Sequence, residues 1–180
     1  MASTKTTKAK AAKPAPESVA PKAAAAKPGR RGKASLVIVE SPAKQRTISR
    51  FLKQGYVVAS SYGHVRDLPE KKLGVDENKD FAPSYALLTR TKKLLPELKK
   101  LAKDADTVFL ATDHDREGES IAWHLVDMLK LKPDQVKRIT FHEITPTAIK
   151  AAIAEPRSID ENLVHAEQAR RVIDRLVGYK

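Results

Sequence analysis

The clearest structural signal in this chain is the segment Val108-Phe-Leu-Ala-Thr-Asp-His-Asp-Arg-Glu-Gly-Glu119. It begins with a short apolar run of the kind found in buried strands. Three carboxylates follow this run at alternating positions: Asp113, Asp115 and Glu117. Gly118 permits a sharp turn, and apolar residues then recur at helical spacing over 121–129. The predicted order is therefore a strand, an extended acidic loop and a helix over 119–130.

Strands and helices alternate along the rest of the chain. The apolar residues of 35–40 predict a strand covered on both faces, and Ser41 and Pro42 predict the cap and first residue of a helix. Further strands are expected over 56–60 and 136–141, and further helices over 91–103, from Thr145 onward and over 162–177. We expect irregular structure over 62–90. This alternation predicts an α/β fold with a mostly parallel sheet, whose ligands gather at the carboxyl ends of the strands.

The net charge of +12 is concentrated in the first 34 residues. This segment holds nine Lys or Arg against Glu17 alone, and it is otherwise mostly Ala, Pro and Thr. Such a composition cannot bury enough apolar surface to offset its ordering entropy, so we expect a disordered basic tail. A flexible basic arm binds polyanions by releasing counterions, which makes nucleic acid the expected partner ahead of an anionic membrane. A tail that only improves solubility is the alternative.

Several protein classes are excluded by composition. The chain has no cysteine, which rules out disulfides and thiolate metal sites and suits a reducing cytoplasm. No apolar run approaches the roughly 18 residues of a membrane-spanning helix, and no signal-peptide core is present. The 180 residues suffice for one α/β domain and part of a second. Because the last predicted helix runs to the end without a stop signal, we expect that the second domain is truncated.

The acidic loop suggests a metal site. Carboxylates at alternating positions of an extended loop can project toward one point, and Mg²⁺ needs only two or three of them because it keeps several waters. A solvated acidic helix start, stabilised by the helix dipole, remains an alternative. A calcium EF-hand is disfavoured because its twelfth position would be His124 rather than Glu. The histidines lack zinc-ligand spacing, and neither a Walker A nor a G-x-G-x-x-G sequence occurs.

Two residues outside the loop are candidates for the same site. Glu40 and Asp113 follow two different predicted strands, and if those strands are neighbours their carboxylates share one crevice. Lys44 lies in the first turn of the predicted helix, where backbone N–H groups and a cation together suit a phosphate. The alternatives are an isolated strand-end glutamate and an ordinary exposed lysine.

Five motifs occur in order between residues 35 and 180. They read Glu40-Ser-Pro-Ala-Lys44, Gly63-His-Val-Arg-Asp-Leu-Pro69, Thr112-Asp-His-Asp-Arg-Glu-Gly-Glu-Ser-Ile-Ala-Trp-His124, Phe141-His-Glu-Ile-Thr145 and Gln168-Ala-Arg-Arg-Val-Ile-Asp-Arg-Leu-Val-Gly-Tyr179. In this order they resemble the amino-terminal region of the bacterial DNA topoisomerase I family, the type IA topoisomerases. Five ordered motifs are more specific than D-x-D-x-E alone, which other Toprim proteins also carry.

The resemblance implies a fold and an activity. It implies a Rossmann-like Toprim domain over 35–157, followed at 158–180 by the start of a helical domain that lines a single-strand DNA groove. Enzymes of this family relax negatively supercoiled DNA by cutting one strand through a tyrosine, forming a 5′-phosphotyrosine, passing a strand and religating. Relaxation requires Mg²⁺. We therefore expect an isomerase that is a cytoplasmic, nucleoid-associated monomer acting on single-stranded regions of DNA.

The resemblance also assigns roles to residues. Glu40 would assist proton transfer at the 3′-oxygen or help to hold the metal, and Lys44 would stabilise charge on the scissile phosphate. The implied metal ligands are Glu40, Asp113, Asp115 and Glu117. The implied DNA contacts are His64, Arg170, Arg171, Asp174 and Tyr179.

Two departures from the family pattern are evident. His114 stands where the family often has Pro or Leu. The family's nucleophile lies in a Tyr-x-Arg-Thr-Asp-like context, which surrounds none of the four tyrosines: Tyr56, Tyr62, Tyr85 and Tyr179. We therefore expect that this chain binds Mg²⁺ but cannot complete cleavage alone. Two rival functions stay open, namely a stand-alone metal-dependent Toprim nuclease or primase-like enzyme and a non-catalytic nucleic-acid-binding module driven by the basic tail.

Overall fold

The computed structural model describes residues 34–52 and 54–178, so the disorder predicted for the basic tail lies outside the described residues. The strands are β1 (Ser35–Val39), β2 (Tyr56–Ser60), β3 (Arg66–Asp67), β4 (Val75–Asp76), β5 (Ala82–Pro83), β6 (Ala86–Leu87), β7 (Val108–Leu110) and β8 (Val136–Arg138). The helices are α1 (Pro42–Phe51), α2 (Thr89–Asp104), α3 (Arg116–Leu129), α4 (Pro146–Ala154) and α5 (Glu161–Gly178).

A four-stranded parallel sheet in the order β2-β1-β7-β8 organises the fold. Neighbouring residues of each strand point to opposite faces of this sheet, and both faces are covered. Leu36 and Ile38 of β1 pack in a core with apolar residues of α2 and α3. Val37 and Val39 pack in a second core with residues of α1 and α4. The predicted α/β fold with a parallel sheet is therefore confirmed.

Strands β1 and β7 form the point where the strand order reverses. From β1 the chain passes through α1 to β2 on one side, whereas from β7 it passes through α3 to β8 on the other. The two strands are in direct register, with Ile38 opposite Leu110. In open α/β sheets the crevice beyond the carboxyl ends of two such strands is the usual ligand position. The sheet therefore directs Glu40 and Asp113 toward the same crevice.

Two helix starts follow the predicted capping rules. The Ser41 hydroxyl accepts the backbone N–H of Lys44 at 3.2 Å, and Pro42 is the first residue of α1. Thr145 accepts the backbone N–H of Ala148 in the same way at 3.3 Å. Each hydroxyl satisfies one of the N–H groups that a helix leaves without a partner at its beginning.

The start of α3 differs from the prediction. The helix begins at Arg116 rather than at residue 119, because the Asp115 carboxylate caps it by accepting the N–H of Gly118 at 2.7 Å. Glu117 therefore lies in the first helical turn. The three carboxylates of this stretch do not belong to one extended loop, contrary to the prediction.

Two further differences concern short strands. Residues 62–90 were expected to be irregular, but they contain two small antiparallel ladders, β3 with β6 and β4 with β5. Strand β8 ends at Arg138, three residues before the predicted end, and the backbone of Arg138 exchanges two hydrogen bonds with that of Arg157. Pairings between distant residues determine both features, and local patterns do not reveal such pairings.

Helix α5 packs against the α/β core. Val164 and Val172 are buried, and Val172 joins a small apolar cluster with Leu68 and Val75. None of the helices in the described ranges combines the length and the apolar character needed to cross a membrane.

His124 of α3 is a buried imidazole at the boundary between the core and the β3–β6 region. Its ring lies edge-on to Tyr85 at 4.5 Å and to Trp123 at 5.0 Å between ring centroids. Burial lowers the pKa of His124 to about 4, with the positive Arg66 contributing to the shift. The native state therefore holds this imidazole neutral.

This buried histidine predicts a pH dependence of stability. The unfolded imidazole takes up a proton near pH 6.5, well above the pKa in the folded state, so stability falls as the pH drops from 6.5 toward 4. We expect His124 to reduce the free energy of unfolding by about 2 kcal/mol between pH 7 and pH 5. Urea denaturation of wild type and His124→Phe at both pH values measures this loss. The exposed His165 serves as control, since His165→Phe should keep the wild-type pH dependence. An unchanged pH dependence in His124→Phe would contradict the assignment.

Candidate active site at the sheet crevice

Glu40, Lys44 and Asp113 meet at the carboxyl ends of β1 and β7. The Lys44 ammonium contacts Oε1 of Glu40 and Oδ1 of Asp113 simultaneously. The backbone N–H of Asp113 donates to Oε2 of Glu40 at 3.1 Å. Three residues that were selected from two separate motifs thus form one cluster, as expected if β1 and β7 are neighbours.

The pKa values of the two carboxyl groups in this cluster shift in opposite directions. Burial raises the pKa of Glu40, and the adjacent Asp113 carboxyl raises it further, which outweighs the opposite effect of Lys44. Hydrogen bonding with Glu40 lowers the pKa of Asp113, and Lys44 lowers it as well. Burial acts against the charge on Lys44, but its bonds to Asp113 and Glu40 prevail and raise its pKa. Of the two carboxyl groups, Glu40 therefore takes up a proton more readily than Asp113, beside the positive Lys44.

The fully buried guanidinium of Arg138 holds the backbone next to the crevice. Arg138 is 0% exposed, and its side chain donates to four backbone carbonyls. These acceptors are Leu110 at 3.0 Å, Thr112 at 2.8 Å, Asp113 at 2.7 Å and Ile139 at 2.7 Å. Since Leu110 is the last residue of β7 and Thr112 and Asp113 follow it, Arg138 holds the backbone that carries Asp113 at three points.

Glu119 is the counter-ion of this guanidinium. Its carboxylate, also 0% exposed, accepts two bonds from Arg138 at 2.9 and 3.0 Å and two from Arg157 at 2.8 and 2.9 Å. It also accepts the backbone N–H of Asp160 at 2.8 Å. Burial alone would raise the pKa of Glu119, but these donors outweigh burial and lower it. The buried pair is therefore fully hydrogen-bonded, as an isolated buried charge could not be.

Glu119, Arg138 and Arg157 were absent from the predicted site. One signal was available, because Glu119 stands three residues before the buried Ala122 on the apolar face of α3. An acidic residue on such a face requires a basic partner inside the core. The sequence does not identify that partner, which lies on a different strand.

The loop between β7 and α3 is closed by short-range contacts. The Thr112 hydroxyl donates to the carbonyl of Gly118 at 2.6 Å. The helix start passes so near Asp113 that a β-carbon on Gly118 would lie within 3.0 Å of three backbone atoms of Asp113. Glycine is therefore required at position 118 by close approach of two backbone segments.

The remaining predicted metal ligands lie apart from the Glu40–Asp113 pair. Asp115 caps α3, and Glu117 contacts Nε2 of His64 at 2.8 Å. In the described ranges, no three histidine or acidic side chains gather closely enough to hold a metal ion. The structure thus brings Asp113 to Glu40, but it places Asp115 and Glu117 in other contacts.

The donor chemistry of the pair nevertheless fits a divalent cation. Glu40 and Asp113 offer hard carboxylate oxygens, and Mg²⁺ needs only one or two protein carboxylates because waters and substrate phosphates complete its shell. The pair already shares one cation, the Lys44 ammonium. Side-chain exposure of 52% leaves Asp113 open to solvent.

The predicted DNA-contact residues lie along and beside α5. Arg171 forms an ion pair with Asp67, and the exposed Arg170 lies 3.7 Å from Asp174. Arg171 and Asp174 line a cleft between α5 and the segment after β3, together with Asp67, Leu68, Glu70, Arg175 and Gly178. His64 contacts Glu117 and lines an adjoining small cavity that shares Asp67 and Arg171 with this cleft. Tyr179 lies outside the described residues.

Comparisons with known proteins identify a family and two relatives that this chain resembles. A family model described as a Toprim domain matches residues 35–144. The DNA topoisomerase 1 of Streptomyces coelicolor is 49% identical over 175 residues, which cover 90% of this chain and 18% of that protein. The structure of full-length topoisomerase I from Thermotoga maritima matches with a TM-score of 0.74 and 46% identity, over 80% of this chain and 24% of that one. The chain therefore spans less than a quarter of the length of either relative.

The close approach at Gly118 gives a test of the crevice geometry. We expect Gly118→Ala to reduce the free energy of unfolding by about 1–3 kcal/mol, because the added methyl group collides with the backbone of Asp113. The amide resonance of Asp113 should shift as the loop is displaced. Gly178→Ala is the matched control, since a β-carbon there meets no atom within 4 Å. Equal stability of the two variants in urea denaturation would refute the close approach.

Proposed function

Since the chain belongs to the Toprim family, we propose that it supplies the acid and metal chemistry of a type IA DNA topoisomerase. The observation that carries the proposal is the meeting of Glu40, Lys44 and Asp113 at the point where the strand order reverses. The two topoisomerase I relatives support the choice of reaction. The activity is the relaxation of negatively supercoiled DNA by transient cleavage of one strand.

In the proposed reaction, a tyrosine that is not among the motifs of this chain loses its hydroxyl proton to water, and its oxygen attacks a DNA phosphate to form a 5′-phosphotyrosine. The bond between phosphorus and the 3′-oxygen breaks, and the Glu40 carboxyl donates its proton to that oxygen. The raised pKa of Glu40 supports this role, because a carboxyl with a higher pKa takes up the proton that it donates more readily. Lys44 stabilises the negative charge on the phosphate, and its place in the first turn of α1 suits an anion.

Toprim domains generally bind metal, and we propose Mg²⁺ as the ion. Glu40 and Asp113 would hold it, with Asp115 and Glu117 contributing from the start of α3. When bound, Mg²⁺ supplies positive charge that neutralises the DNA phosphates during religation. The chain's own part is to present the Asp113 carboxylate on a backbone segment held by Arg138, beside Glu40 at the end of β1.

Helix α5 and His64 form the proposed DNA surface. Arg170 and Arg171 would pair with phosphates of single-stranded DNA, and Asp174, Tyr179 and His64 would contact neighbouring groups. The cleft beside α5 is lined by Arg171 and Arg175 together with the acidic Asp67, Glu70 and Asp174. The two arginines are the groups of this cleft that suit phosphates. We also propose that 35–157 form the Toprim domain and that 158–180 begin a helical domain. The protein would act as a monomer on the cytoplasmic nucleoid.

The first test separates this function from hydrolysis. Incubated with Mg²⁺ and negatively supercoiled plasmid, the 180-residue chain is expected neither to relax nor to nick the DNA, because it holds no tyrosine in the family context. A gene product that contains this chain and such a tyrosine should relax the plasmid, as judged by the topoisomer ladder on agarose gels. Nicking by the 180-residue chain that disappears in Asp113→Asn would instead indicate a Toprim nuclease.

The second test addresses proton transfer. In the gene product with the tyrosine, Glu40→Gln should slow formation of the covalent protein–DNA adduct by about 100-fold, because an amide cannot donate the proton. The adduct is trapped with detergent and quantified on a denaturing gel with an end-labelled single strand. Glu97→Gln on the exposed side of α2 is the control and should cleave at the wild-type rate. Wild-type cleavage by Glu40→Gln would remove Glu40 from the acid role.

A further inference from the structure

Lys44 occupies the position between the two carboxylates that a bound cation would take. Its ammonium contacts one oxygen of Glu40 and one of Asp113, which come from two adjacent strands. The other Glu40 oxygen is engaged by the backbone N–H of Asp113. The two side chains thus converge on a single positive charge.

We propose that Lys44 and a divalent cation exclude each other from the Glu40–Asp113 pair, so that metal binding releases the Lys44 ammonium. This inference rests on the metal site of the proposed function, and it adds a coupling between that site and the lysine. Lys44 then has two states: it neutralises the carboxylates in the absence of metal and is free to contact a DNA phosphate when metal is bound.

Electrostatics favours exclusion over sharing. An ammonium and a divalent ion on the same two oxygens would place three positive charges within a few ångströms of one another, where like charges repel strongly in a partly buried site. Lys44 also engages one oxygen of each carboxylate, so an ion that binds these two oxygens competes with the ammonium for the same positions. A bound cation therefore displaces the existing one.

The geometry permits this exchange without rearranging the fold. The lysine stem is flexible and ends in a compact charge, so the ammonium can leave while α1 stays in place. The Lys44 side chain is 20% exposed and that of Asp113 is 52% exposed, which leaves a path to solvent. The released ammonium remains beside the first turn of α1, whose N–H groups favour an anion.

Manganese binding provides the test. Mn²⁺ is titrated into the 180-residue chain, and the free ion is followed by its electron paramagnetic resonance signal. We expect Lys44→Gln to bind Mn²⁺ about tenfold more tightly than wild type, because the ion no longer displaces an ammonium bonded to two carboxylates. Arg46→Gln removes the same charge from an exposed position of the same helix. It should bind about as tightly as wild type.

A second readout follows the lysine itself. In ¹⁵N-labelled wild type, the Lys44 ammonium held by two carboxylates should give a resolved NMR signal that disappears on saturation with Mg²⁺. Circular dichroism and thermal melts confirm that the variants are folded. In a Lys44→Gln, Asp113→Asn double variant the gain in Mn²⁺ affinity should vanish, which locates the ion at the carboxylate pair.

The outcomes distinguish the coupling from the metal site. Equal affinity of Lys44→Gln and wild type, or weaker binding by Lys44→Gln, would overturn mutual exclusion while leaving the proposed metal site intact. Absence of Mn²⁺ binding in wild type and Lys44→Gln would overturn both the metal site in this chain and the exclusion. If Arg46→Gln gained as much affinity for Mn²⁺ as Lys44→Gln, the gain would come from the lower net charge and not from the position of Lys44, which would overturn mutual exclusion.

Discussion

The buried ion pair between Arg138 and Glu119 is the interaction on which the crevice depends. Removing a charged pair from water is costly, and deleting one partner of such a pair costs about 3–5 kcal/mol because the other charge is left buried. Here the Arg138 guanidinium donates to the Glu119 carboxylate, to carbonyls at and after the end of β7, and to the carbonyl of Ile139. The pair therefore fixes the backbone at the end of β7, and this backbone holds Asp113 beside Glu40.

Much of the fold follows from local sequence. The apolar run of β1, the hydroxyl cap at Ser41 and the capped start of α4 depend on residues within a few positions of one another, so periodicity and capping rules identify them. The meeting of Glu40 and Asp113 required one more condition, the adjacency of β1 and β7. Alternating strands and helices make such adjacency plausible but do not determine strand order, which depends on packing across the whole sheet.

The parts that could not be predicted are contacts between distant residues. Glu119 meets Arg138 and Arg157 only after three elements have packed. The spacing of the acidic residues also does not reveal that their side chains make different contacts. Asp115 caps α3, and Glu117 contacts His64. Carboxylates at alternating positions can either point to one site or make separate contacts. Backbone geometry decides whether such a carboxylate joins a metal site or caps a helix.

The contact between Glu119 and the Asp160 N–H has a mechanical consequence. One carboxylate binds both the guanidinium that shapes the crevice and the backbone that enters α5. A force applied to the start of α5 is therefore transmitted to the floor of the crevice through two hydrogen bonds in series. The start of α5 and the backbone that carries Asp113 are thus linked through one carboxylate, so a displacement of the start of α5 would strain the hydrogen bonds that hold the crevice.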